Sequence, residues 1–273
     1  MPIIDYLSNF SDKVLFVILS IFLISVSVIT VLLMQVFIHQ DTRHSHNEVI
    51  GNVSALIGLI YGVLAGLTAL YLINNLSYTG DAVQREANAV ANLYRDSSWL
   101  KEPTRSTIKN EIANYLNAVI NSEWSQMKNG SHVSEDADSN IENISRDLYA
   151  YNSFSSSELL ILHDMLDEIK ALYNARETRI QMSYESLNTD LWTVILIGTV
   201  LMISINFLFG MNIYFHIATV TATALMAASM IFLLITLDKP FQGDFVIEPS
   251  AFQQILKTIQ LGEKPRVTPA KLQ

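Results

Sequence analysis

GNVSALIGLIYGVLAGLTALYLINN, residues 51–75, carries no charge from end to end. At 1.5 Å rise per residue this stretch makes a helix about 37 Å long, enough to cross a hydrocarbon core of about 30 Å with some tilt. Gly58, Gly62 and Gly66 recur every four residues, with Gly51, Ala55, Ala65 and Ala69 nearby, so one side is a groove that admits another helix backbone. The other side is bulky: Ile60, Leu64, Leu67, Tyr71 and Asn74 follow at steps of four, three, four and three. Such a helix suits packing with a neighbour while it presents an apolar and then polar stripe to an axis. The alternative is that the glycines only tighten a bundle within one chain.

Three more spans follow from the same reasoning. The run 14–38 has Gln35 as its only strongly polar member. A secretory leader would have a shorter apolar core, a more basic start than Asp12-Lys13 and small residues at a cleavage point, so this run is expected as a retained first span. The uncharged region 191–237 is too long for one crossing and is interrupted by Phe209-Gly210-Met211-Asn212, which predicts two spans joined by a tight turn. The expected fold is therefore an all-α integral membrane protein with four transmembrane helices and a cytoplasmic helical domain inserted between spans two and three. The expected divisions are a transmembrane pair at 1–75 (spans 14–38 and 51–75), a cytoplasmic helical domain at 76–189, a transmembrane hairpin at 190–237 (spans 190–209 and 212–236) and a cytoplasmic segment at 238–273.

Charge sets the expected orientation. Close to the spans, Lys13, Arg85, Arg95, Arg176, Arg179 and Lys239 fall on one side and Arg43 alone on the other, so the polar mass and both ends are expected in the cytoplasm, with the chain multi-pass in the cell's inner (plasma) membrane. Half of the residues (50%) are apolar and 16% are charged, and the mean hydropathy is +0.30, a balance that fits a polytopic protein. The absence of cysteine excludes disulfide frameworks, thiolate metal sites and cysteine nucleophiles. A net charge of −9 argues against nucleic acid as a partner.

The remaining segments carry local signals. Residues 39–48 hold His39, His44 and His46 beside Asp41 and Glu48, so His44 and His46 are candidate metal ligands or pH-titrating groups, against the commoner outcome of a solvated loop. Past the second span nothing forces the helix to stop before Gly80, and its axis-facing register would add Asp81 and Arg85, with Glu86 one position around. The alternative for Glu86 is a pairing with an arginine. A helix start is expected at Glu102-Pro103, with Ile108, Ile112, Tyr115, Leu116, Val119 and Trp124 as its apolar face. Residues 128–157 read as a loop with a short helix around 141–149, and Ser155 to Glu158 matches a capping box. From there Leu159, Leu162, Leu166, Ile169, Tyr173, Arg176, Ile180, Ser183 and Leu187 alternate by three and four, a seam of coiled-coil type. No proline or glycine separates it from the third span, which predicts one rod over 158–209, about 78 Å long, standing off the bilayer as a stalk. His216 is expected at the interface near the outer end of span four, and a short helix is expected over 251–259.

Asn52, Gly58 and Gly62 in the second span, Glu86-Ala87 with Leu93-Tyr94-Arg95, and the exit Leu237-Asp238-x-Pro240-Phe241-x-Gly243 followed by Pro249 resemble a family of membrane proteins of unknown function described as bestrophin-like. The likeness covers most of 45–255. The architecture is also similar to that of bestrophins, which are pentameric channels whose second span lines an apolar neck. The resemblance implies a homo-oligomer, a pentamer, that conducts inorganic ions, with its neck at Ile60, Leu64 and Leu67. This sequence lacks phenylalanines in that stripe and an acidic calcium clasp.

Two functions are expected to compete. The first is an oligomeric ion channel in the lipid bilayer, lined by Ile60, Leu64, Leu67, Tyr71, Asn74, Asp81 and Glu86, with a lean to cations from the acidic rings and the acidic cytoplasmic part. The second is a non-conducting scaffold or signalling protein whose helical stalk binds a partner. An enzyme is not expected, since no phosphate loop, nucleophile elbow or His-Glu-x-x-His is present. No cofactor is expected. Four spans without internal repeat or charge make poor transporter sites.

Overall fold

The computed structural model describes residues 11–37, 46–134, 136–152, 155–243 and 246–262. These residues form helices α1 (Asp12–Phe37), α2 (Asn47–Ser97), α3 (Thr104–Ala118), α4 (Trp124–Lys128), α5 (Asp136–Ala150), α6 (Ser156–Tyr184), α7 (Thr189–Asn206), α8 (Ile213–Asp238) and α9 (Ser250–Gln260). A π-helical turn, Val119–Glu123, joins α3 to α4. Among the described residues no strand is present. The chain divides into two compact units, Met1–Asn74 with Ser186–Lys239 and Asn75–Glu185 with Pro240–Gln273.

Among the described residues four helices are long and apolar enough to cross a membrane. α1 lies along α8, where Phe16 and Phe232 meet edge to face with centroids 5.3 Å apart. The face of α8 that turns inward, with Val220, Ala224, Ala227 and Ala228 all at 0–1% exposure, is built from small residues, which let neighbouring backbones close up without a hydrophobic driving force. Thr219, Thr223 and Ser229 bond back to carbonyls of their own helix, so their hydroxyls need no partner elsewhere. Asn47 holds the α7–α8 turn: its side chain donates to the Gly210 carbonyl and accepts from the Gly210 amide, both at 2.8 Å. Asn212 then caps α8 by accepting from the Tyr214 amide. His216, in the first turn of α8, is fully buried with Nε2 2.9 Å from the Asn206 carbonyl.

As the missing breakers imply, α2 passes through Gly80 as one helix of 51 residues. The rod expected over 158–209 does not form. The chain leaves helical geometry between Tyr184 and Thr189, although neither proline nor glycine lies there. The break is held by side chains instead. Asn188 accepts from the Asp190 amide to start α7, the Leu187 amide donates to Asp238 Oδ1 at 2.5 Å and the Trp192 indole donates to Asp238 Oδ2 at 3.3 Å. Asp238, at the end of α8, thus gives the Leu187 amide the acceptor that an uninterrupted helix would have offered. Asp238→Ala is expected to cost about 1–3 kcal/mol by orphaning these two buried donors. Thermal unfolding followed by circular dichroism in detergent measures it, and Asp238→Asn, which keeps one acceptor oxygen, should recover part of the loss.

The second unit is a helical core in its own right. α6 is no free stalk, for it buries Met165, Ile169, Leu172, Ala175, Arg176 and Arg179; Ile169 and Arg176 belong to the expected seam, whose Leu162, Leu166, Tyr173 and Ile180 pack partly buried against the same core, while Leu159 is left 60% exposed. Its start matches the sequence: Ser155 accepts from the Glu158 amide, and the Glu158 carboxylate pairs with Lys101 at 2.8 Å. Along α3 and α4 the buried positions include Ile108, Ile112, Tyr115, Leu116, Val119, Glu123, Trp124 and Met127. The step of five from Val119 to Trp124 would carry Trp124 off the face of a regular helix, and the π turn, with its extra residue, restores it. The segment after Lys239 joins this core. Gly243 makes the turn at φ 99°, where a side chain would be strained, and Phe241 and Phe252 each pack edge to face on Trp124 at 5.6 Å. The Trp124 indole donates to the Ile247 carbonyl at 3.2 Å.

Candidate functional site

The bulky stripe of α2 is unclaimed by the chain's own packing. Ile60, Leu67 and Tyr71 are 61%, 62% and 47% exposed, Leu64 is half-buried, and Asn74 and Asp81 are exposed. The buried side of the helix carries Tyr61, Ala65, Thr68, Leu72, Leu76 and Thr79. Apolar side chains thus alternate between an inward face and an outward one until Asn74, where the outward face turns polar.

The glycines of α2 are equally unclaimed. A Cβ placed on Gly58, Gly62 or Gly66 would meet nothing within 4 Å, so these residues tighten nothing inside the chain. The close approach between spans comes from Gly198 of α7, where a Cβ would lie 2.8 Å from the Tyr61 ring. The Tyr61 hydroxyl sits 3.0 Å from the Thr199 hydroxyl, which itself donates to the Ile195 carbonyl, so the ring is fixed over that glycine.

Glu86 stands apart from the stripe. One position around the helix from Arg85 means about 100°, and this turns Glu86 onto the buried face with Val83 and Val90. Its carboxylate has 0% exposure and is gripped by Arg179 of α6, Nε to Oε2 at 2.6 Å and Nη2 to Oε1 at 2.9 Å. The Tyr115 hydroxyl donates to Glu86 Oε1 at 2.6 Å. Arg179 Nη2 also bonds Glu123 Oε2 at 2.6 Å, and the other oxygen of Glu123 takes Arg176 Nη2 at 2.6 Å. Arg176 reaches on to Asp138 at 2.5 Å.

Burial by itself would weaken the proton's hold on Arg179, but Glu86 and Glu123 on either side reverse that and hold its guanidinium above the ordinary arginine range. Burial, helped by the Glu86 carboxylate, pushes the Tyr115 hydroxyl well above the usual phenol range, which keeps it a donor. The π turn brings Glu123 inward to meet both arginines. The sequence held one signal for this cluster, arginines at 176 and 179 beside the apolar positions Ile169 and Leu172 that α6 turns inward.

Of the histidine loop, His46 is exposed, and His39 and His44 lie outside the described residues. Among the described residues no group of three His, Asp or Glu could hold a metal ion.

The family model described as Bestrophin-like domain matches residues 21–252. The chain belongs to the bestrophin-like family. Among solved structures, this bestrophin-like chain is similar to a single-residue variant of a bacterial bestrophin homologue from Klebsiella pneumoniae, with TM-score 0.67 and 10% identity over 89% of this chain and 98% of that one. A variant of a crystallised membrane protein gives TM-score 0.68 and 11% identity over 91% of this chain and 99% of that one. At such identity the likeness speaks for the fold. No curated protein sequence matches the chain. Family, fold neighbours and the four apolar helices make this a membrane protein of bestrophin-like architecture.

Proposed function

We propose that copies of this bestrophin-like chain close around an axis, with the glycine face of α2 against a neighbour and the stripe Ile60, Leu64, Leu67, Tyr71, Asn74 and Asp81 lining an ion path. The observation that carries this reading is the pairing of two unclaimed faces on one helix, a smooth one and an apolar one. Bestrophins are pentameric channels, so five copies is the number that the resemblance supplies. Apolar rings at Ile60, Leu64 and Leu67 gate by dewetting, and the polar part from Asn74 onward stays wet. Glu86 is withdrawn from the lining, so the lean to cations rests on Asp81. The Lys and Arg distribution near the spans supports an inner-membrane orientation with the 76–189 segment in the cytoplasm.

Widening the neck tests this. Ile60→Ala with Leu64→Ala, reconstituted in planar bilayers, is expected to raise the open fraction or unitary conductance by at least about threefold, because smaller side chains leave wider rings that hold water more readily. Silence of both parent and variant would falsify the reading. The scaffold alternative draws on other residues: Trp99, Tyr149, Leu159 and Leu160 are 67%, 72%, 60% and 68% exposed, apolar groups that a bound partner would cover. A particle image with no channel along its symmetry axis would favour it.

A further inference from the structure

We propose that Arg85 sets the charge selectivity of the path by holding a positive charge beside Asp81. This rests on the channel reading above. Asn74, Tyr78, Asp81, Arg85 and Asn88 follow one another at steps of four, three, four and three, and all are exposed. Arg85 therefore belongs to the same stripe as the lining.

Its side chain does not extend away from the helix. The guanidinium carbon lies 5.7 Å from the centre of the Tyr78 ring. Tyr78 and Arg85 are seven positions apart, about two turns or 10.5 Å along the axis, so the side chain folds back toward the amino end of α2. Side chains on a helix tilt in that direction, and a guanidinium prefers an aromatic face to bare water. Asp81 lies on the stripe between the two. Among the described residues neither Arg85 nor Asp81 forms an ion pair, so both charges are left for the solvent and its ions.

The consequence is a near-cancelled ring. Residues four apart on a helix carry their Cβ atoms about 5–6 Å from one another, inside the screening length of about 8 Å at physiological ionic strength, so a passing ion meets both charges at once. Glu86, the other carboxylate on this part of the helix, is neutralised inside the fold. Asp81 draws cations and Arg85 limits how far, which makes the parent weakly cation-selective.

The test measures the potassium-to-chloride permeability ratio from reversal potentials under a potassium chloride gradient, in the Ile60→Ala, Leu64→Ala background. Arg85→Gln is expected to raise the ratio at least about threefold by unmasking Asp81, and Asp81→Asn to lower it below the background value. Arg85→Lys should keep the ratio low, and Tyr78→Ala should shift it in the direction of Arg85→Gln while Tyr78→Phe leaves it in place. Both charged residues are exposed, so these substitutions leave the core intact. A ratio moved by Asp81→Asn and unmoved by Arg85→Gln overturns the role of Arg85 and leaves the channel reading standing. A background that carries no current overturns the channel reading, and this inference with it.

Discussion

Arg179→Ala is expected to destabilise the 75–185 region by about 3–5 kcal/mol, the scale for removing one partner from a buried ion pair. The guanidinium holds two carboxylates, Glu86 and Glu123, each at 0% exposure. Without it Glu86 keeps only the Tyr115 hydroxyl and Glu123 keeps only Arg176, so negative charge stays in the core with too few donors. A typical domain has about 5–15 kcal/mol in all, so the variant sits near the edge of folding. Urea unfolding read by tryptophan fluorescence measures the loss, since Trp124 lies beneath Arg179 with the guanidinium carbon 5.3 Å from its ring. Arg179→Lys keeps the charge but not the fork that reaches two carboxylates, and should fall between parent and alanine variant. Adding Glu86→Gln and Glu123→Gln to the alanine variant should restore part of the stability. An alanine variant within about 0.5 kcal/mol of the parent, the range of an ordinary surface substitution, would show that the cluster carries no such load.

Gly58→Leu with Gly62→Leu is expected to dissolve the oligomer while leaving each subunit folded. Within one chain the added atoms meet nothing within 4 Å, and leucine improves helix propensity over glycine by somewhat under about 1 kcal/mol per site, so subunit stability should not fall. Between chains, leucines would hold two backbones apart where glycines let them touch. Molar mass from light scattering in detergent reads assembly, and thermal unfolding reads the subunit. Gly198→Val provides the opposite pattern: it presses on the fixed Tyr61 ring at 2.8 Å, and overpacking of that kind costs about 1–3 kcal/mol inside the subunit. An oligomer that survives both leucines places the contact elsewhere.

Before any coordinates, the residues already distinguished the spans, the uninterrupted passage of α2 through Gly80 and the apolar face of α3. Those features depend on neighbours a few positions away and on hydrophobic content, which are local quantities. The same reading gave the rod 158–209 no reason to stop, because the residue that stops it, Asp238, lies 51 positions from Leu187. It also left Glu86 open between a place beside the stripe and a pairing with an arginine, and an arginine 93 positions away decides for the pairing. In α6 the apolar three-four pattern resembled a coiled-coil seam; its residues do pack inward, but what Arg176 and Arg179 meet there, Glu123 and Glu86, lies 53 and 93 positions away.

The glycines show the division most plainly. By itself the sequence determined that this chain is a helical membrane protein with four helices long and apolar enough to span, since length and the absence of charge suffice when every backbone group must be satisfied within its own helix. Tertiary structure alone decided which glycine is crowded and which is bare, and which carboxylate is buried and which meets solvent. Gly62 and Gly198 are alike as letters and differ in what stands opposite them, and Asp81 and Glu86 differ by their angle around one helix. Long-range packing sets both, because the energy of a buried charge or a missing side chain depends on atoms that the chain brings in from far away.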